Sequence, residues 1–197
     1  MALRVWLPLN GNLNNQGLSN LTFTNSNSST ITIDASGKIG SCYQRATKQT
    51  AGYITSNQKY DFNNDITICT WAYVMDCVSS ANGLVTIHDH NSSTNIGITA
   101  KYISATDFRI CCNTGNGNSR TFDAYYGTTN IKNKWCHLAV TYKKSNQQLL
   151  LYVNGVVEYT LNNYYDTYDY SKYDSYVNDF NLFRNHNNLN NRFLYKY

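Results

Sequence analysis

Residues 134–161 read "KWCHLAVTYKKSNQQLLLYVNGVVEYTL", and the spacing of apolar side chains along them decides the fold class. Apolar residues recur at every second position: Leu138, Val140 and Tyr142 in one run, Leu149, Leu151 and Val153 in the next. Successive side chains of an extended strand point to opposite faces, so each set shares one face. Asn154-Gly155, flanked by "LYV" and "VVEY", provides two residues that accept positive φ, which a tight two-residue hairpin requires. The polar run "KKSNQQ" marks a second turn. The stretch therefore predicts three antiparallel strands joined by two hairpins.

The same pattern continues outward in both directions. Short runs such as "LRVWLPL", "LTFT", "STITID", "GKIGSCYQR", "GYITS", "GLVTIHD", "NIGITA", "DFRICCN" and "TFDAYY" are separated by clusters of Asn, Gly and Ser. No stretch shows a helical period with caps. "DITICTWAYVM" (65–75) is apolar on both parities, with Ile66, Ile68, Ala72 and Val74 on one and Cys69, Trp71, Tyr73 and Met75 on the other. Such a strand belongs in the middle of a sheet, one side toward the core and the other lining a concave surface. Trp71 and Trp135 are expected to be substantially buried. Many short strands at roughly 8–12-residue spacing indicate an all-β fold, a two-sheet antiparallel β-sandwich.

Composition agrees. A chain of 197 residues fits one domain. Charged residues are 14% of it, and their place is taken by 29 Asn and 18 Tyr, with a single Pro and a single Glu, Glu158. Helix surfaces draw on Ala, Glu, Lys, Gln and Arg, most of which are scarce here. The net charge of +4 is mild and the cations are scattered, so the clustered basic footprint of a nucleic-acid binder is missing. No apolar run approaches the ~18 residues of a membrane span, and "MALRVWLPLN" does not read as a secretory signal. Synthesis in a reducing cytoplasm is expected, with Cys42, Cys69, Cys77, Cys111, Cys112 and Cys136 as packed thiols.

Several of these runs resemble a known family. "ITICTWAYV" is similar to the F-T-I-S-A-W-V segment of laminin G-like and pentraxin-like modules. "WCHLAVTYKKSNQQLLLYVNGVVE" is similar to their W-x-H-[LV]-A-[VL]-T-Y…L-x-L-Y-V-N-G stretch, almost position for position. "VNDFNLF" resembles the closing strand, and "LRVWLPLNGNLNNQG" and "GKIGSCY" resemble the first strand and the G-K-I/L-G strand. The resemblance spans roughly residues 3–183 and implies a concanavalin A-like jelly roll whose concave sheet often presents a glycan site. It also implies a lectin-like sandwich over 1–183, which leaves 184–197 as a C-terminal tail, its packing on the same domain an open alternative. Asn181 departs from the usual Arg of the closing strand. "RNHNNLNNRFLYKY" replaces the helix start that usually follows it. The Asn- and Tyr-rich version resembles lectin-like modules on tailed-phage virion proteins, which implies a virion made in a bacterial host's cytoplasm.

The fold is shared with glucan hydrolases of the laminarinase type, which carry E-x-D-x-E on one strand. Those enzymes need two carboxyls about 5–5.5 Å apart. The lone Glu158 in "VVEYT" has no acidic residue two positions away, which excludes a two-Glu mechanism. An Asp pair such as Asp166 and Asp169 would sit in a loop without strand rigidity. No catalytic residue is expected, and the chain reads as a non-enzyme. "HDH" at 88–90 offers two imidazoles with no third ligand nearby, so exposed loop histidines are expected and no metal site. His137 reads as a strand histidine bonded to backbone. No cofactor is expected. Calcium, held in laminin G and pentraxin relatives by Asp and carbonyl oxygens of loops, stays an open alternative, although no D-x-D-x-D string occurs.

One tract remains. "YYDTYDYSKYDSY", residues 164–176, holds six tyrosines and three aspartates, between the Asn154-Gly155 hairpin and the closing strand. Disordered segments are poor in aromatics, so disorder is not expected. Tyr rings stack on sugar faces and Asp accepts bonds from vicinal hydroxyls. Tyr164, Tyr165, Asp166, Tyr168, Asp169, Tyr170 and Tyr173 are the candidate ligand-binding residues, with sealing of the sandwich edge as the alternative role. The reading is a carbohydrate- or receptor-binding module on a phage fibre or capsid, its partners a glycan or cell-surface receptor and other virion proteins. The alternative is a purely structural virion attachment or decoration domain with no glycan site.

Overall fold

The computed structural model of the chain describes residues 5–45, 52–59, 65–76, 82–89, 95–116, 119–162, 178–182 and 194–196. Among these, fourteen strands build two seven-stranded sheets. Neighbouring strands within each sheet run antiparallel. In the first sheet the order is β1 (Phe23–Asn25), β4 (Ile54–Lys59), β13 (Asn178–Leu182), β6 (Asn82–Asp89), β7 (Asn95–Ser104), β8 (Asp107–Asn116) and β9 (Ser119–Tyr126). In the second it is β12 (Val156–Leu161), β11 (Gln148–Val153), β10 (Trp135–Lys143), β5 (Ile66–Asp76), β14 (Leu194–Lys196), β3 (Cys42–Arg45) and β2 (Ile31–Asp34). The fold is all-β, a two-sheet antiparallel β-sandwich.

The deciding stretch folds as its periodicity requires. In the β10–β11 pair Leu138 opposes Val153, Val140 opposes Leu151 and Tyr142 opposes Leu149, and all six are buried. The β11–β12 turn has Asn154 at φ 51 and Gly155 at φ 82, the two positive values of a type I′ hairpin. The other turn is a short 3-10 segment, Lys144–Asn146, closed by Gln147 at φ 50. The same buried layer continues into β5, where Ile68 opposes Val140 and Ala72 opposes Cys136. From the first sheet Ile98, Ala100, Phe108, Ile110 and Cys112 close the core, β7 lying across β5 and β10 and β8 across β11. Fully burying a Leu or Ile side chain contributes about 1.5–3 kcal/mol, so this layer is the main source of cohesion between the sheets.

The structure corrects two expectations. "LRVWLPL" is not a strand over its described residues: Pro8 has no N–H for a ladder, and Leu9 takes a positive φ of 56. Leu9 is buried nonetheless, so the segment packs on the core without joining a sheet. Trp71 does not belong to the core. Ile68, Ala72 and Val74 take the inward parity of β5, which turns Trp71 to the outer face, 36% exposed. Near the other end of the chain, Tyr195 in β14 pairs with both Arg45 and Val74, so residues 194–196 form part of the second sheet.

Candidate functional site

The outward parity of the two central strands of the second sheet is aromatic. Trp71 opposes His137 and Tyr73 opposes Trp135 across the β5–β10 pair. The rings of Trp71 and His137 meet edge to face at 5.4 Å and 64°, and those of Tyr73 and Trp135 at 5.7 Å and 64°. Such pairs contribute about 0.5–1.5 kcal/mol each beyond area burial and fix ring orientation. The backbone of His137 is held by the hairpin turn: its N–H donates to Asn154 Oδ1 at 2.9 Å, and Asn154 N–H donates to its carbonyl at 2.7 Å.

Two remote segments wall this aromatic row. The first is Trp6–Leu9. Asn15 uses both ends of its amide to fix it: Oδ1 accepts from Trp6 N–H and Gly17 N–H, each at 2.9 Å, while Nδ2 donates to the Ser19 carbonyl and hydroxyl at 2.9 and 3.0 Å. Trp6 remains 54% exposed. The second wall is the turn between β2 and β3. Asp34 Oδ1 accepts from the Ser36 amide at 2.7 Å and from its hydroxyl. A Cβ on Gly37 would lie 2.5 Å from the Gly40 carbonyl oxygen, so only glycine closes this turn. Its tip places Lys38 Nζ 4.9 Å from the centre of the Trp71 ring.

Together Trp6, Pro8, Lys38, Ile39, Ser41, Cys69, Trp71 and His137 border a cavity of about 270 Å³. Among the described residues no carboxylate lines it, and the one lysine that does is Lys38. Burial raises the Cys69 thiol pKa. A flat indole face, a second indole at the rim and polar tips from Lys38, Ser41 and His137 match a ligand with one apolar face and several hydroxyls. Rings with such faces stack on Trp and Tyr.

The sequence singled out other residues. Tyr164, Tyr165, Asp166, Tyr168, Asp169, Tyr170 and Tyr173 lie outside the described residues, as do His90 and Cys77. His88 lies in β6, but its side chain is also outside them. Among the described residues no three of His, Cys, Asp and Glu stand together to hold a metal ion, and no step is assigned to calcium. Glu158 is engaged elsewhere, by the Thr128 and Thr129 amides and hydroxyls. Sequence reasoning missed Trp6, Lys38 and the outward turn of Trp71 and His137. The available signal was that Trp71 and His137 share the parity of Cys69 and Thr141, while the opposite parity holds the aliphatic side chains.

The family described as the concanavalin A-like lectin/glucanases superfamily matches residues 47–185. No curated protein sequence matches the chain. Among solved structures it is similar to domain 4 of an extracellular arabinanase from Geobacillus stearothermophilus, in complex with arabinotriose. The two share 17% identity, covering 99% of this chain and 90% of that one, with a TM-score of 0.63. The β-glucanase of Bacillus licheniformis shares 10% identity over 98% of this chain and 94% of its own, TM-score 0.59. A carbohydrate esterase of the Shiga toxin-encoding bacteriophage phi24B shares 9% over 88% and 86%, TM-score 0.56. At these identities the likeness is one of fold.

Proposed function

We propose, because the chain belongs to the concanavalin A-like lectin/glucanases superfamily, that it is a non-enzymatic carbohydrate-binding module and that the Trp71 groove holds its ligand. The carrying observation is an indole left 36% exposed on a cavity that Trp6 also lines. A Trp that only sealed the fold would be covered by its own chain. The fold's carbohydrate-linked neighbours support the ligand class, among them the arabinanase domain in complex with arabinotriose. The non-enzymatic reading rests on carboxylates: the chain's one Glu is bonded to the Thr128–Thr129 loop, and among the described residues none lines the groove. Retaining hydrolysis needs two carboxyls about 5–5.5 Å apart.

In the same proposal, Tyr164, Tyr165, Asp166, Tyr168, Asp169, Tyr170 and Tyr173 form a further ligand-contacting rim. The setting is a tailed-phage virion, where the module meets a cell-surface glycan. The residue usage supports that setting, and a bacteriophage protein shares the fold. A purely structural decoration domain is the second reading, favoured by the exposed apolar side chains Leu18, Ile33 and Ile39 at 71%, 53% and 79%.

A glycan array followed by paired affinity and melting measurements tests both. Trp6→Ala and Trp71→Ala are expected to weaken binding by roughly 1–2 kcal/mol with little loss of melting temperature. The five Tyr→Ala variants at 164, 165, 168, 170 and 173 report on the rim in the same way. A module that binds no glycan on the array would favour the structural reading.

A further inference from the structure

We infer that the groove selects acidic saccharides, those bearing a carboxylate or sulfate on the ring, over neutral ones. This rests on the proposed carbohydrate-binding role and names the ligand class of the same site. Lys38 Nζ lies over the Trp71 ring, 4.9 Å from its centre, so cation and indole face already satisfy one another. A neutral sugar stacking on that face must displace the ammonium and returns only hydroxyl bonds to it. An acidic sugar displaces it equally but exchanges the ring contact for an ion pair, a hydrogen bond in which both partners carry charge, which a hydroxyl cannot supply.

The surroundings keep that exchange one-sided. Among the described residues no Asp or Glu lines the cavity, so an entering anion meets no like charge from them. Asp34, on the same β2–β3 turn, has Oδ1 bonded to the amide and hydroxyl of Ser36. The same turn is compact, since a Cβ on Gly37 would lie 2.5 Å from the Gly40 carbonyl oxygen, and it carries Lys38 to the Trp71 ring. His137, its ring 5.4 Å from that of Trp71, also borders the cavity, and a neutral imidazole carries one N–H able to donate to a ligand's oxygens. Trp6 and Ile39 add apolar surface at the border of the same cavity, against which the sugar ring can pack.

The test uses the full chain and matched probes: trigalacturonate against its methyl ester for the carboxylate, and a sulfated galactan oligosaccharide against its desulfated form for sulfate. Affinity is measured by calorimetry, and occupancy of the groove by the rate at which a maleimide modifies Cys69, which lines it. At least one acidic probe should bind about tenfold tighter than its neutral partner and slow Cys69 modification. Which pair shows the difference identifies carboxylate or sulfate as the source. Lys38→Gln should abolish the preference while Lys38→Arg preserves it, and Lys143→Gln, on another turn, should leave it intact. Equal binding and equal Cys69 protection by both members of both pairs would overturn the acidic preference and leave the carbohydrate-binding reading standing. Saccharide binding with no protection of Cys69 would overturn the groove as its place. No binding of any saccharide would overturn both.

Discussion

Glu158 shows how one side chain can carry a different role from the one its chemistry suggests. As the chain's only glutamate it is the first residue to weigh for hydrolysis, yet the structure spends its carboxylate on a loop. Oε1 accepts from the Thr129 hydroxyl at 2.5 Å; Oε2 accepts from Thr128 N–H at 2.7 Å, the Thr128 hydroxyl at 2.8 Å and Thr129 N–H at 2.9 Å. The approach is so close that a Cβ on Gly127 would lie 2.9 Å from Glu158 Cβ and 3.0 Å from Ile110 Cγ2. Burial pushes the carboxyl pKa up, but the four bonds outweigh it and hold the pKa down at about 2, against an ordinary 4.5. A pKa lowered by folding gives stability that is complete above the unfolded value and is lost as pH falls toward the folded one. Glu158→Gln should therefore cost about 1–2 kcal/mol at pH 7, a figure reduced from the full linkage because the group is partly solvated. The variant should also lack the part of the acid-induced loss that falls between pH 4.5 and 2. Urea midpoints of both proteins at pH 7, 4.5 and 3 check this, and parallel acid losses would refute the latch.

At the scale of the element, alternation made the β10–β11–β12 meander legible to within a residue or two. The turn residues were legible as well, because Asn154 and Gly155 must both adopt positive φ. Alternation says that a strand has two faces; it does not say which face meets the other sheet. In β5 both parities are apolar, so size invited Trp71 into the core, whereas the smaller Ile68, Ala72 and Val74 are the ones that fit there. β11 offers the direct test, since Leu149, Leu151 and Val153 are buried while Leu150 on the opposite parity is only half-buried. Leu151→Ala should cost about 2–5 kcal/mol, the range for a fully enclosed leucine. Leu150→Ala should cost clearly less. Equal losses by chemical denaturation would mean that both faces of β11 are covered alike.

The whole molecule explains why the groove was not legible at all. Its parts come from residues 6–9, 38–41, 69–71 and 137, and only the placing of β3 and β14 beside β5 brings them together. No local pattern encodes that neighbourhood. The same long-range packing makes a prediction about cooperativity, with the chain's own thiols as reporters. Cys112 projects into the core from β8 of the first sheet and Cys136 from β10 of the second, and both belong to one continuous cluster of buried side chains. Burial, with Cys111 beside it, drives the Cys112 pKa far above the ordinary thiol range, and burial raises that of Cys136 as well. Neither should react while the sheets stay together, because the thiolate is the reactive form. Cys69 is exposed and should be modified in the native protein, slowly, since its pKa is also raised. If the sandwich unfolds as one unit, Cys112 and Cys136 become reactive at the same urea concentration. Pulse labelling across a urea series with peptide mapping reads each site separately. Coincident midpoints are expected, and Cys112 reacting well before Cys136 would mean that the first sheet opens while the β5–β10–β11 layer still holds.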